Sequence, residues 1–290
     1  MAASARAAHT VPSGGARVGE LLRSWRLRHN LSQQAFASGA AVSTRYLSFI
    51  ETGRARPSRE MVMHLAERLE VPLRDRNNLL LAAGYAPIYR ERPLDSAEMA
   101  PVRSALDRFL KAHEPYPALI VDRHWNIVAA NRALAFLTDG VAPELLQPPA
   151  NVFRIALHPN GMAPRILNLA EWSSQVLRRV QRQAAITGDP ELELLYNELA
   201  SYPGVDPDAP PGDPGEAILI HRLRLRDAEL TFFSTVTTFG TATDIALAEL
   251  AIEAFYPADE QSAAILRSDP RPTQPGIADH LDRREEAVGR

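Results

Sequence analysis

The chain has 290 residues, a formal net charge of −3 and no cysteine. The length suggests about two domains, and the missing cysteine removes disulfide scaffolds, cysteine zinc sites and thiol chemistry. With no run of about 18 apolar residues and no apolar signal core at the start, a cytoplasmic protein without a membrane role is expected.

The near-neutral total conceals a division. Residues 1–92 hold 14 arginines against 7 acids, net +7, whereas residues 93–290 carry a net −10. A basic segment joined to an acidic one suits a polyanion-binding module beside one that stays off polyanions. The lone lysine, Lys111, reads as a composition bias.

Residues 1–16 are small, polar and punctuated by Gly and Pro, the composition of a disordered tail. In 17–92 the apolar period is helical. Val18, Leu21, Leu22, Trp25 and Leu27 mark a first helix ending near His29. Ser32 can cap a second through Gly39, with Ala35 and Phe36 inward. Ser43 can cap a third, with Leu47 and Ile50 inward and Gly53 just past its end. Pro57-Ser58 opens a fourth containing Val62, Leu65, Ala66 and Leu69, and a fifth runs from Leu73 to Ala83 before Gly84. Five short helices make a compact all-α module.

Two short helices joined by a tight turn inside a basic block suggest a helix-turn-helix. The stretch Leu31-Ser-Gln-Gln-Ala-Phe-Ala, followed from Val42 by Ser-Thr-Arg-Tyr-Leu-Ser-Phe-Ile-Glu-Thr-Gly-Arg-Ala-Arg-Pro-Ser58, resembles the lambda-repressor-like XRE class. Gln33, at the start of the second helix, suits a phosphate. With Leu47 and Ile50 buried, the third helix presents Thr44, Arg45, Ser48 and Phe49 on its other face. Such a face fits a major groove, with Arg45 on guanine O6 and N7. Phe49 suits either a thymine methyl or a core or partner contact. Arg54 and Arg56 follow in a loop suited to phosphates. The resemblance further implies a structural ion pair between Arg26 and Glu51. Ala41 stands where many members have glycine, so an alanine with positive φ is expected in the turn.

In the second part, 93–268, residues from Pro117 to Asn131 read as two short strands around Asp122-Arg123-His124, with a helix from Arg132 to Leu137. Leu169 to Ile186 forms a helix with Trp172, Val176, Leu177 and Val180 on one stripe, and Pro190 to Leu199 forms another. The Pro- and Gly-rich run 202–215 excludes regular structure. Ala217 to Arg226 and Leu230 to Phe239 read as strands around a turn at Asp227-Ala228. Ile245 to Phe255 suits a strand or a helix, and a strand completes an antiparallel meander. The outcome is an α+β domain, followed by a second tail over 269–290.

Strands, helices, then strands is similar to a PAS-like fold. Tyr46-Leu-Ser-Phe-Ile-Glu-Thr-Gly, Leu80-Leu-Leu-Ala-Ala-Gly-Tyr-Ala-Pro87, Glu114-Pro-Tyr-Pro-Ala-Leu-Ile-Val-Asp122, Asn168-Leu-Ala-Glu-Trp172 and Phe232-Phe-Ser-Thr-Val-Thr-Thr-Phe-Gly-Thr241 together resemble the MmyB-like transcription regulators. That resemblance covers residues 17–267. It implies a DNA-binding regulator whose PAS-like domain takes a small, fatty-acid-like effector. A sheet face with Ile127, Phe233, Val236 and Phe239 under Trp172 would enclose an apolar cavity or simply be core. Asn131, His158, Arg165 and Arg178 are candidate polar anchors, each also readable as structural. A ligand-free dimerisation or docking module, or an enzyme, are the alternatives. The glycine-rich phosphate loops and the nucleophile elbow are missing, so no catalytic residue is assigned. The eight histidines lack ligand spacing, so no metal and no cofactor is expected. The expected partners are double-stranded DNA, a small effector and a second copy of the chain on DNA.

Overall fold

The computed structural model describes residues 14–210, 218–225 and 228–268, with the backbone alone at 14–16. It falls into two compact units: described residues to Glu91 with Thr243–Ile245, and the remainder.

The first unit is five helices: α1 (Gly14–Arg28), α2 (Gln33–Gly39), α3 (Thr44–Glu51), α4 (Arg59–Arg68) and α5 (Leu73–Ala82). Ser32, Ser43 and Ser58 cap α2, α3 and α4, each side chain accepting from the N–H three residues on. Such caps satisfy donors that the first helical turn leaves open. Ala41 takes φ +52° between α2 and α3, and the Val42 N–H closes the turn onto the Ala37 carbonyl at 2.9 Å. The core gathers Val18, Leu22, Trp25, Phe36, Leu47, Ile50, Leu65 and Leu79.

Three local expectations change here. α1 starts at Gly14, inside the segment 1–16 read as a tail, and residues 1–13 lie outside the described residues. Leu27 is exposed, because the stripe of Val18, Leu22 and Trp25 at four- and three-residue spacing passes it by. On α2 the inward residues are Phe36 and Ala37, whereas Ala35 is exposed. A register set by Phe36 and Ala40 turns position 35 outward.

The second unit follows with α6 (Ala100–Ala112), β1 (Ala118–Val121), β2 (Ile127–Ala130), α7 (Leu134–Leu137), α8 (Val152–Leu157), α9 (Leu169–Thr187), α10 (Pro190–Ala200), β3 (His221–Leu225), β4 (Ala228–Thr238), α11 (Ile245–Ala248), β5 (Ala251–Pro257) and α12 (Glu260–Arg267). The strands form one antiparallel sheet in the order β2-β1-β5-β4-β3. Leu119, Val121, Leu223, Leu230, Phe232 and Phe255 lie in one cluster with Trp172, Val176 and Val180 of α9. Ala118, Ile120 and Ile252 lie in another with Leu106 and Leu110 of α6, an element not anticipated from the sequence. Alternation along β1, β2 and β5 feeds both clusters.

Boundaries also shift. Ile245 to Phe255, expected as one strand, is a single helical turn followed by β5. The Ile-Ala-Leu-Ala run closes a turn, and the ladder to β1 and β4 begins at Ala251. α7 begins at Leu134, two residues after the expected Arg132. Ala228, expected in a turn, is already paired with Leu225. Ala217, Arg226, Asp227 and the tail 269–290 lie outside the described residues, as do residues 211–215 of the Pro/Gly run.

Candidate nucleic-acid interface and effector site

α3 is eight residues with one buried side. Leu47, Ile50 and Glu51 point inward, Thr44 and Arg45 are exposed, and Ser48 and Phe49 are half-buried. The Arg45 guanidinium carbon lies 5.3 Å from the centroid of the Phe49 ring. The core cluster takes in Tyr46, Leu47 and Ile50 but not Phe49. Past Gly53, at φ +71°, the N–H groups of Arg54 and Ala55 both donate to the Phe49 carbonyl. That folds the following loop back on α3 and leaves Arg54 exposed.

Two other expected phosphate contacts have partners inside the unit. The Gln33 amide donates to Glu51 Oε2 at 2.8 Å. The Arg56 guanidinium donates to the Ala83 carbonyl at 3.0 Å and lies over the Tyr85 ring. The structure therefore groups Thr44, Arg45, Ser48 and Phe49 on one face, while Gln33 and the exposed Arg56 also make contacts inside the unit.

Arg26 and Glu51 set the angle between α1 and α3. Arg26 Nε and Nη2 donate to the two Glu51 oxygens at 2.7 and 2.9 Å, and Nη1 donates to the Leu31 carbonyl at 2.6 Å. Both residues are buried. Burial pushes the Glu51 carboxyl up, but the hydrogen bonds from Arg26 and Gln33 outweigh it and hold the group below its ordinary value.

Sequence reasoning missed three supports. Gly19 lies against α3, where a Cβ would stand 2.1 Å from the Ile50 carbonyl oxygen; a glycine inside a helical pattern was the available signal. The His64 imidazole donates to the Ala40 carbonyl at 2.7 Å and so braces the turn. Asn77 accepts from the Ile88 and Tyr89 N–H groups and donates to the Tyr89 carbonyl.

In the second unit the expected apolar face separates. Val236 sits opposite Glu253 in the β4–β5 ladder and Phe233 opposite Tyr256. Three residues apart on a strand, Val236 and Phe233 point to opposite faces. Ile127 joins the cluster under α9, Phe239 joins that under α6, and Phe233 stacks on Tyr256. Ile127, Phe233, Val236 and Phe239 thus do not line one surface.

The four candidate anchors are occupied within the fold. Asn131 accepts from the Ala118 N–H and donates to the Leu110 and Tyr116 carbonyls. His158 Nδ1 accepts from the Asn160 N–H. Arg165 donates to the Leu137 carbonyl, and its pKa is lowered by burial. Arg178 donates to the Ala209 carbonyl.

The polar groups on the α9-covered face are different ones. His221 packs against Trp172, with ring centroids 4.4 Å apart, and against Phe232. Its Nδ1 is buried without a hydrogen-bond partner among the described residues. Burial, with Arg179 nearby, pushes its pKa down to about 4. Glu253 is buried and accepts from the Ser234 hydroxyl at 2.9 Å. Burial raises its pKa against the opposing effect of Arg179, whose Nη1 lies 3.9 Å away. Arg179 also lies over the Trp125 ring. Outside, a groove of about 620 Å³ runs along α9 past Gln175, Arg178, Arg179, Arg182 and Gln183. Neither His221 nor Glu253 stands out in sequence: His221 opens an alternating strand, and Glu253 is one polar residue in a continuously buried run.

Among the described residues no three His, Asp or Glu side chains are grouped to hold a metal ion. No described helix is long and apolar enough to cross a membrane.

Residues 102–268, more than half of the chain, match the model of the MmyB-like transcription regulator ligand binding domain. The chain belongs to the MmyB-like transcription regulators. Residues 17–79 of this MmyB-like regulator match a helix-turn-helix domain. It is also similar to two structures of the clp gene regulator ClgR from Corynebacterium glutamicum. One is 27% identical, covering 26% of this chain and 92% of that one, with a TM-score of 0.23. The other is 24% identical, covering 36% and 97%, also with a TM-score of 0.23. No curated protein matches it. A DNA-binding helix-turn-helix joined to a ligand-binding domain makes the chain a transcriptional regulator.

Proposed function

We propose that this regulator reads a specific duplex sequence by laying α3 in the major groove, and that its second unit answers a small effector. Residues 17–92 serve DNA and residues 93–268 serve the effector, with no catalytic step, in the cytoplasm. The observation that carries the reading is the outer face of α3, where Thr44, Arg45, Ser48 and Phe49 stand together above a buried Leu47–Ile50 side. Arg45 is the base-reading residue, and Arg54 contacts phosphate. A homodimer follows from two reading heads on adjacent half-sites.

For the effector, the resemblance to the family favours an apolar, fatty-acid-like molecule. Its place is the face between α9 and the sheet, where Trp172, His221 and Glu253 put polar atoms inside an apolar cluster. A ligand-free docking module is the second reading. It is favoured by the internal hydrogen bonds of Asn131, His158, Arg165 and Arg178.

Two measurements decide these points. The full chain should enrich a defined motif from a random duplex pool, and Arg45→Ala should abolish that enrichment while the fold survives. Protein denatured in organic solvent should release a small molecule detectable by mass spectrometry. No released molecule, together with no thermal shift across a metabolite panel, would establish the docking reading instead.

A further inference from the structure

Arg45 and Phe49 are one helical turn apart on the exposed side of α3, with the guanidinium 5.3 Å above the ring. We infer that the two side chains read a single base step together. The step is a guanine next to a pyrimidine that carries a C5-methyl group. The inference rests on the assignment of α3 as the groove-reading helix and adds what that helix selects.

Phe49 lies outside the apolar cluster that absorbs Tyr46, Leu47 and Ile50, and it keeps part of its ring exposed. An aromatic left partly exposed on the outer face of a recognition helix, outside the apolar cluster, contributes little to the core. What it does hold is the guanidinium of Arg45, an attraction between a cation and a ring face. Held there, the arginine fork loses less rotamer freedom on meeting DNA.

The chemistry of the two groups then fixes the step. A guanidinium fork matches O6 and N7 of guanine, and an aromatic ring matches the C5-methyl of thymine. Base pairs stack about 3.4 Å apart, so two stacked side chains span adjacent pairs and not pairs several steps away. The methyl is what the ring touches, and thymine and 5-methylcytosine present the same methyl at the same ring position. Thymine and methylated cytosine are therefore read alike, and unmethylated cytosine is rejected. This head responds to cytosine methylation at its site.

The test uses the full chain. Duplexes are enriched from a random pool, and the enriched duplex is resynthesised with thymine, uracil, cytosine or 5-methylcytosine at the pyrimidine of the step. Affinities are read by fluorescence anisotropy at one fixed salt. Thymine and 5-methylcytosine should bind within about twofold of each other, and uracil and cytosine about tenfold more weakly. In Phe49→Ala the methyl preference should vanish and guanine selectivity should fall. Should Phe49→Ala not fold by circular dichroism, Phe49→Leu takes its place. It keeps an apolar contact to the methyl but loses the stacking, so guanine selectivity should drop severalfold. Equal binding of uracil and thymine by the unaltered chain overturns the inference. So does an unchanged methyl preference in Phe49→Ala, or undiminished guanine selectivity in Phe49→Leu. An enriched motif without a guanine next to a pyrimidine also overturns it, while leaving the DNA-reading assignment standing. No enrichment at all overturns that assignment too.

Discussion

Gly19 and the carbonyl of Ile50 meet so closely that a methyl group on Gly19 would stand 2.1 Å from the oxygen. This contact sets the distance between α1 and α3, and with it the height of the reading face above the core. Gly19→Ala should cost about 1–3 kcal/mol by overpacking. A calorimetric scan of the full chain should show an earlier first transition, with weaker binding to the selected duplex.

Glu51→Gln should be worse. It removes a charge from a bidentate pair and leaves the Arg26 guanidinium buried beside a neutral amide, a loss of about 3 kcal/mol or more. The pH sign follows from the depressed Glu51 carboxyl. Its stabilisation is present above the unfolded pKa and is lost as the pH falls through the folded value. Denaturant titrations at pH 7 and in acid should converge for the two proteins at the acid end.

His221 has the same sign over a higher pH window. An unfolded chain protonates this ring near pH 6.5, whereas the folded chain resists until about pH 4. Stability therefore falls as the pH drops from 6.5 toward 4, by about 3 kcal/mol at most from this residue. His221→Phe should flatten that part of the melting-temperature profile and leave the part above pH 7 unmoved.

Glu253 is a carboxyl whose pKa is raised by burial. A raised carboxyl favours the fold below the unfolded pKa and loses that advantage as the pH rises through the folded value. Glu253→Gln keeps the shape without the titration, so its stability relative to the unaltered chain should grow with pH. Paired thermal melts from pH 4 to 8 measure the difference.

Arg54→Ala should weaken all duplexes alike and lower the slope of log affinity against log salt by about one. Arg56→Ala should instead act on stability, since its guanidinium holds the end of α5. Binding isotherms over a salt series, beside thermal melts, separate the two arginines.

The helical unit was largely legible because its signals are local. Ser32, Ser43 and Ser58 announce caps, Gly53 announces a stop, and the spacing of Leu47 and Ile50 assigns the two sides of α3. The sheet was less so, since pairing is set by partners far along the chain. Phe233 and Val236, three residues apart, are separated by strand alternation alone, but which face lies under α9 and which under α6 is fixed only by the packing. The roles of Gln33 and Arg56 depend on where Glu51 and Ala83 arrive in space, which no spacing encodes. His221 and Glu253 needed the packing of α9 to become conspicuous.

Asn77 uses its whole carboxamide to fasten Ile88 and Tyr89 to the side of α5. The chain leaving the helical unit is therefore not slack where the helix ends. The fastening continues past Tyr89, where the Arg90 carbonyl accepts from the Ile245 N–H and Glu91 pairs with Arg74 of α5, so this stretch belongs to the helical unit as firmly as the helix does.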